Sequence, residues 1–211
     1  MRLRDFTPPE TRAATAAAEL AAGYHTPAML NHVIRSWLWA RAYAALEGRT
    51  HTDDELLYVA ALLHDIGTVT AFDNHTLSYE EAGGHVAVAL TAGAGWPAHR
   101  QQRALEVIVR HNWASVDPAL DIEGYLLEAA TALDISGARP DALPLPFRQE
   151  VLDAYPRLTL AAEFTACVTD QAARKPTTAA QRLVSGGLAH KMSHHPLERP
   201  AMDHPDSHPD R

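Results

Sequence analysis

The adjacent residues His64 and Asp65 can both bind a metal ion, and they stand where an apolar helix is predicted to end. Residues 56–63 are almost entirely apolar, and Gly67 follows as a turn signal. Packing alone does not explain an imidazole and a carboxylate at the end of a buried helix, because polar groups are costly to bury without a partner. A metal ion is the simplest partner that accounts for both side chains.

Two further candidate ligands lie on other predicted helices, His32 upstream and Asp134 downstream. Imidazole nitrogen and carboxylate oxygen suit divalent zinc or iron, and three or four such ligands leave a coordination position open for water. Water bound in that position ionises near neutral pH. The order His, His-Asp, Asp therefore predicts a catalytic metal site rather than a structural one.

Each of these residues also has an ordinary structural explanation. His32 alone would be a hydrogen-bonded histidine of the core, and Asp134 would cap a turn before Gly137 or pair with an arginine. A His-Asp dipeptide occurs by chance in many proteins. The joint arrangement favours the metal, because Ala-Leu-Leu-His-Asp-Ile-Gly ends one helix while Asn-His-x-x-Arg and Ala-x-x-Leu-Asp provide the remaining ligands.

The arrangement resembles the HD-domain superfamily of metal-dependent hydrolases. The resemblance covers about residues 25–175, and its most specific part is Leu-His-Asp-Ile-Gly-Thr at 63–68. HD phosphohydrolases and phosphodiesterases often carry lysine or glutamate three residues after the aspartate, where this chain has Thr68, which is too short and neutral to handle phosphate. This departure, with Ser-Tyr-Glu-x-x-Gly-Gly at 78–84 and Arg-His at 110–111, is similar to the cyanamide hydratase branch, which hydrates cyanamide to urea with zinc.

The resemblance implies a small-molecule enzyme that adds water to a nitrile through a metal-bound hydroxide. It implies one divalent ion, with zinc expected and ferrous iron as the alternative. The implied metal ligands are His32, His64, Asp65 and Asp134. The implied catalytic residues are Asp65, which accepts the water proton, and His111 or Glu80, which returns a proton to nitrogen. Thr68 is expected to contact the substrate.

A second hypothesis starts from Arg35, which lies three residues after His32 and so on nearly the same helix face. A guanidinium there could grip phosphate as a bidentate donor. The protein would then be a mononuclear HD phosphohydrolase acting on a nucleoside monophosphate or another small phosphate ester. Arg35 equally suits a buried ion pair with an acid such as Asp134. A third hypothesis is a non-catalytic HD module that holds a metal and a small ligand.

The number of metal ions depends on two further histidines. Dinuclear HD phosphodiesterases use two histidines between the His-Asp pair and the final aspartate. His111 fits one of those places, whereas His85 follows Gly83 and Gly84 and matches poorly. We therefore expect one ion, with His111 beside it as a proton donor or substrate ligand. A surface histidine at a helix end is the alternative for His111.

Helical periodicity recurs along most of the chain, and no segment alternates clearly enough to predict a strand. The expected fold is all-α, a single HD-domain bundle of about eight to nine helices. Residues 1–24 are predicted to form a helical extension and residues 25–190 the HD domain. Residues 191–211, rich in histidine and proline, are predicted to form a flexible tail.

The 211 residues carry a formal net charge of -8 and no run of lysine or arginine, so we expect no nucleic-acid partner. The single cysteine, Cys167, agrees with a reducing cytoplasm. Glu10 and Glu19 interrupt the alanine-rich N-terminal segment, which argues against an export signal, and no window predicts a membrane span. A cytoplasmic protein is expected, and both a monomer and a homo-oligomer remain open.

Overall fold

The structure is a computed structural model that describes residues 1–198. This part of the chain is helical throughout, which confirms the predicted all-α class. Its ten α-helices are α1 (Arg12–Tyr24), α2 (Pro27–Leu46), α3 (Asp54–Leu63), α4 (Tyr79–Gly93), α5 (Ala98–Arg110), α6 (Ile122–Ser136), α7 (Leu145–Ala154), α8 (Leu160–Arg174), α9 (Ala179–Ser185) and α10 (Leu188–Ser193). Three short 3-10 helices are Leu3–Asp5, Ile66–Thr68 and Pro140–Ala142.

The helix count exceeds the predicted eight to nine because residues 179–193 form two short helices in place of one. Gly187 has a φ of 79°, a left-handed conformation that favours glycine and interrupts a helix. The chain turns there, so α9 and α10 run as two short helices.

The central element is α2, which packs against α3, α6 and α8. Thr26 caps its N-terminus by accepting a hydrogen bond from the Met29 amide at 3.3 Å, and Pro27 occupies the first turn, where its fixed φ suits a helix start. Thirteen of its 20 residues are buried, so most of its surface faces other helices. Side chains on α2 therefore lie in the middle of the domain.

Two clusters of apolar side chains fill the interior. The larger one joins α1 to α6, and the smaller one joins α8, α9 and α10 to Met29, Tyr79 and Ile135. None of the helices between residues 1 and 198 is long and apolar enough to cross a membrane.

The predicted flexible tail differs from the structure, because the chain stays folded from Lys191 to Glu198. Arg157 and Glu198 form an ion pair at 2.7 Å. The buried side chains of this segment are Met192, His195 and Leu197. The sequence pattern did not predict the burial of Met192 and Leu197, because each stands alone among polar residues. The rest of the predicted tail, 199–211, lies outside the described residues.

Burial lowers the pKa of His195 to about 4, with the charge of Arg157 acting in the same direction. An unfolded histidine titrates near pH 6.5. Between these values the unfolded chain binds more protons than the folded one, so the free energy of unfolding falls as the pH falls from about 6.5 to 4. We expect His195→Asn to weaken that pH dependence, measured by urea unfolding at several pH values. His99→Asn, at an exposed histidine, should leave it unchanged; an equal change in both variants would contradict the prediction.

Candidate metal centre

Three side chains from α2 and the end of α3 meet at one point in the domain. His32 lies on α2, His64 caps the C-terminus of α3, and Asp65 follows it. The two Nε2 atoms are 3.1 Å apart, and each lies 3.3 Å from Asp65 Oδ2. All three residues are buried, and within residues 1–198 they are the one group whose donor atoms converge as metal ligands would.

The hydrogen bonds of the two imidazoles determine which nitrogen carries the proton. Nδ1 of His32 is 2.7 Å from a carboxylate oxygen of Asp134, and Nδ1 of His64 is 2.7 Å from the carbonyl of Ala61. Both partners accept hydrogen bonds, so both Nδ1 atoms must donate. In the neutral rings, two Nε2 lone pairs therefore face each other at 3.1 Å, an arrangement that needs a proton or a metal ion between them.

The Asp65 carboxylate also fits a cation. Both of its oxygens are buried and neither has a hydrogen-bond partner among the described residues. Burial raises the pKa of Asp65, but the charges of His64 and His32 outweigh it and hold that pKa well below the usual range. A buried, ionised and unpartnered carboxylate is costly without a cation. The spacing fits as well, because a tetrahedron with bonds of about 2.0–2.1 Å has edges of about 3.3–3.4 Å.

A tight turn holds Asp65 in place. The 3-10 helix Ile66–Thr68 packs on the first turns of α4, and a Cβ on Gly67 would lie 2.1 Å from the Tyr79 carbonyl oxygen and 2.9 Å from the Gly83 nitrogen. Both are backbone atoms, so they cannot move aside cheaply. Gly67 is therefore required for this close approach rather than for an unusual backbone angle.

We expect Gly67→Ala to lower the free energy of unfolding by about 1–3 kcal/mol or more, through overpacking. The added methyl group should also displace the turn and so weaken metal binding, because Asp65 lies two residues from Gly67. Gly23→Ala is the matched control, since nothing lies within 4 Å of a Cβ at that position. Urea unfolding and metal titration measure the two effects. A Gly67→Ala protein as stable as Gly23→Ala would show that the contact is not tight.

The structure places Asp134 differently from the expectation that it binds the metal. Its carboxylate lies behind His32, bonded to Nδ1 of that ring, and it also accepts from Trp39 Nε1 at 2.8 Å. Arg35 donates to both of its oxygens, at 2.9 and 2.7 Å. Asp134 is fully buried, and although burial raises its pKa, the adjacent Arg35 holds that pKa well below the usual range. Asp134 therefore orients His32 instead of converging with the three ligands.

Arg35 is correspondingly the ion-pair partner of Asp134. Its Nη1 donates to the carbonyls of Tyr155 and Pro156, at 3.0 and 3.2 Å. The side chain is fully buried and does not line the cavity at the ligand cluster. Of the two roles that the sequence left open for Arg35, the structure shows the buried ion pair.

His111 caps the C-terminus of α5 and points its ring into the cluster. Its Nε2 is 3.8 Å from Asp65 Oδ1, and its ring centre is 4.7 Å from that of His64. Its Nδ1 donates to the carbonyl of Ile108, so Nε2 of the neutral ring carries a lone pair. Burial, reinforced by the charge of His64, lowers the pKa of His111 to about 3. The ring is therefore neutral, and its Nε2 faces the cluster as an acceptor of a hydrogen bond or a metal.

A cavity of about 470 Å³ opens from the cluster, lined by the three ligands, His111, Tyr79 and Asn112 among others. Tyr79 accepts a hydrogen bond from Asn112 Nδ2 at 2.7 Å. Burial, with the charge of Asp65, raises the pKa of Tyr79 well above its ordinary value, so the phenol stays protonated. Its hydrogen is free to point into the cavity. Sequence reasoning missed both residues, although Tyr79 stood inside the motif at 78–84.

Two other predicted site residues lie away from this cavity. Thr68 donates to the Asp65 carbonyl at 2.7 Å and does not line the cavity, so it supports the turn rather than the substrate. Glu80 is buried beside Tyr79, but its side chain is not part of the cavity wall either. Its neighbour on the N-terminal turn of α4, Tyr79, faces the cavity in its place.

A buried histidine outside the predicted set also lies near the cluster. Neither ring nitrogen of His25 has a hydrogen-bond partner among the described residues. Burial lowers the pKa of His25 to about 4, while the charge of Asp65 acts in the opposite direction. His25 stands in a polar segment between α1 and α2, so its sequence position gives no sign of this environment.

Comparison with known proteins agrees with this geometry. The family model described as HD domain matches residues 29–135, which is half of the chain. The chain belongs to the HD-domain family. Two relatives are the cyanamide hydratases DDI2 and DDI3 of Saccharomyces cerevisiae, each 30% identical over 172 residues, which cover 80% of this chain and 76% of the relative.

The HD region contains His32, His64, Asp65 and His111, so the whole ligand cluster lies inside it. HD domains bind divalent metals, and this chain has a His-His-Asp group that suits one. Family and cluster together support a metal-dependent HD hydrolase or hydratase. Helices α8, α9 and α10, which also contribute residues to the cavity lining, lie beyond the matched region.

Proposed function

We propose that this protein is a metal-dependent hydratase that adds water to a small nitrile such as cyanamide, giving urea. The observation that carries the proposal is the convergence of His32, His64 and Asp65 at one end of a cavity, beside the Tyr79 hydroxyl. The similarity to two cyanamide hydratases supports the choice of substrate.

The proposed cofactor is one divalent ion, zinc in preference to ferrous iron, held by His32, His64 and Asp65. When bound, such an ion lowers the pKa of a coordinated water toward neutrality. Asp134 keeps the proton of His32 on Nδ1, so that Nε2 stays available as a ligand. We therefore assign Asp134, the fourth predicted ligand, to positioning His32 rather than to binding the metal.

Proton transfer is assigned to groups whose protonation suits it. His111 Nε2 and Asp65 Oδ1 both face the cluster as acceptors, so they take the proton that water loses. The Tyr79 hydroxyl, already accepting from Asn112, donates toward the substrate nitrogen. The proton taken from water then returns to the Tyr79 oxygen, which balances the proton that Tyr79 gave to the nitrogen. Tautomerisation yields the amide product, and no leaving group has to be expelled.

Hydration fits the site better than phosphate ester hydrolysis does. The predicted phosphate ligand, Arg35, is buried against Asp134, and Thr68 replaces the charged residue of HD phosphohydrolases. Neither residue reaches the cavity. The phosphohydrolase hypothesis therefore loses Arg35, the phosphate ligand on which it depended.

The direct test is a urea assay with cyanamide on the zinc-loaded protein. We expect urea formation that a chelator abolishes and that added zinc restores, and no phosphate release from a panel of nucleoside monophosphates. Phosphate release without urea would instead establish the phosphohydrolase. Urea formation by metal-free protein would contradict the role of the ion, and retained metal with neither activity would indicate a non-catalytic module.

A further inference from the structure

The cavity is much larger than cyanamide requires. Three heavy atoms, each given a water molecule's share of about 30 Å³, would fill roughly 90 Å³. The cavity has about 470 Å³, within the range typical of sites for larger ligands. A substrate that fills it must carry a further group extending away from the metal centre.

The outer wall carries two cationic side chains that the metal chemistry does not use. Arg182 on α9 and Lys191 on α10 both line the cavity and are both exposed. Neither has an ion pair or side-chain hydrogen bond with any residue from 1 to 198. Arg182 acts on the buried Glu80 only through longer-range electrostatic attraction. Two cations without counterions on one cavity wall favour an anionic ligand.

The distribution of charge makes this pair unusual for the chain. The sequence has a net charge of -8 and two lysines, Lys175 and Lys191. Lys175 is buried and donates to Asp73 and to two carbonyls, so it is occupied in structure. Lys191 has no such partner among residues 1–198. Among the described cavity residues outside the ligand cluster, Glu128 is the one acid, against the two cations Arg182 and Lys191.

The ligand cluster and the two cations come from different parts of the chain. The HD region, residues 29–135, supplies the ligand cluster, whereas Arg182 and Lys191 lie on helices beyond it. The cavity lining also includes apolar side chains, among them Ile135, Phe164 and Leu183. One cavity thus combines a reacting cluster, apolar side chains and two cations.

We propose that the substrate is a substituted cyanamide or nitrile whose far end carries a carboxylate, held by Arg182 and Lys191. This inference rests on the proposed hydratase function. The reaction is R–NH–C≡N plus water giving R–NH–CO–NH2: a carbon–oxygen bond forms at the nitrile carbon, and both hydrogens of the water end on the former nitrile nitrogen.

The test uses the zinc-loaded full chain and three kinds of substrate: cyanamide, a series of carboxyalkyl cyanamides of increasing chain length, and their methyl esters. We expect one chain length to exceed both its ester and cyanamide in kcat/KM by roughly tenfold or more. Arg182→Gln and Lys191→Gln should each remove roughly tenfold of that preference and leave cyanamide turnover unchanged. Arg12→Gln, at an exposed arginine away from the cavity, is the matched control and should change nothing.

The outcomes separate the two proposals. Cyanamide turnover with no preference for acid over ester would overturn the anionic substrate and leave the hydratase standing. An acid preference that survives in both glutamine variants would also overturn the inference, because the cations would not be its cause. No turnover of any nitrile would overturn both proposals, and so would Arg182-dependent release of phosphate from nucleoside monophosphates.

Discussion

Alanine in place of His64 or Asp65 is expected to abolish both metal binding and cyanamide hydration, with activity falling by roughly a thousandfold or more. The physical reason is that each residue provides one of three converging donors, and a bound ion supplies several kcal/mol of transition-state stabilisation. Loss of one ligand leaves two donors, which hold a divalent ion poorly. Metal content after gel filtration and the urea assay measure the two effects.

His85→Ala is the matched control, because His85 is exposed on α4 and does not line the cavity. It should retain full metal content and activity, and it also checks the expectation of a single ion. If His85→Ala lost one of two bound ions, the site would be dinuclear. If His64→Ala kept its metal and its activity, the ligand cluster would be wrongly assigned.

Asp134→Ala is expected to lower the free energy of unfolding by about 3–5 kcal/mol, the typical cost of breaking a buried ion pair. Arg35 would stay buried with its charge uncompensated, and Trp39 Nε1 would lose its acceptor. Asp134→Asn keeps the shape but removes the charge that holds the proton on His32 Nδ1. We expect that variant to fold and to lose metal affinity by about 10- to 100-fold.

A double variant tests whether the uncompensated charge of Arg35 causes the loss of stability in Asp134→Ala. Arg35→Met combined with Asp134→Leu removes both charges, so it should be more stable than Asp134→Ala if the orphaned guanidinium is what destabilises that protein. Urea unfolding measures the stabilities, and zinc titration against a competing chelator measures the affinities. Unchanged zinc affinity in Asp134→Asn would show that this carboxylate does not position His32.

Much of the fold follows from local sequence signals. Thr26 and Pro27 mark the start of α2, and Asp53 caps α3 by accepting from the Leu56 amide, both as the capping preferences predict. The division of the last helical segment into α9 and α10 was not predicted. Gly186 and Gly187 lie inside a helical pattern, and such a pair is compatible with either a continuous helix or a turn. Whether Met192, His195 and Leu197 are buried depends on α8 and Arg157, which are distant in sequence.

The sequence by itself determined the all-α class and three of the four proposed metal ligands that converge in the structure, because His64 and Asp65 are adjacent and His32 lies on a strongly apolar helix. Only the tertiary structure decided which groups share the site. A buried carboxylate takes whatever donors surround it, so Asp134 pairs with Arg35 once α2 and α6 pack together. The orientation of one helical turn likewise brings Tyr79 to the cavity and leaves Glu80 outside it. Such choices depend on distances of a few ångströms between elements, which residue order does not encode locally.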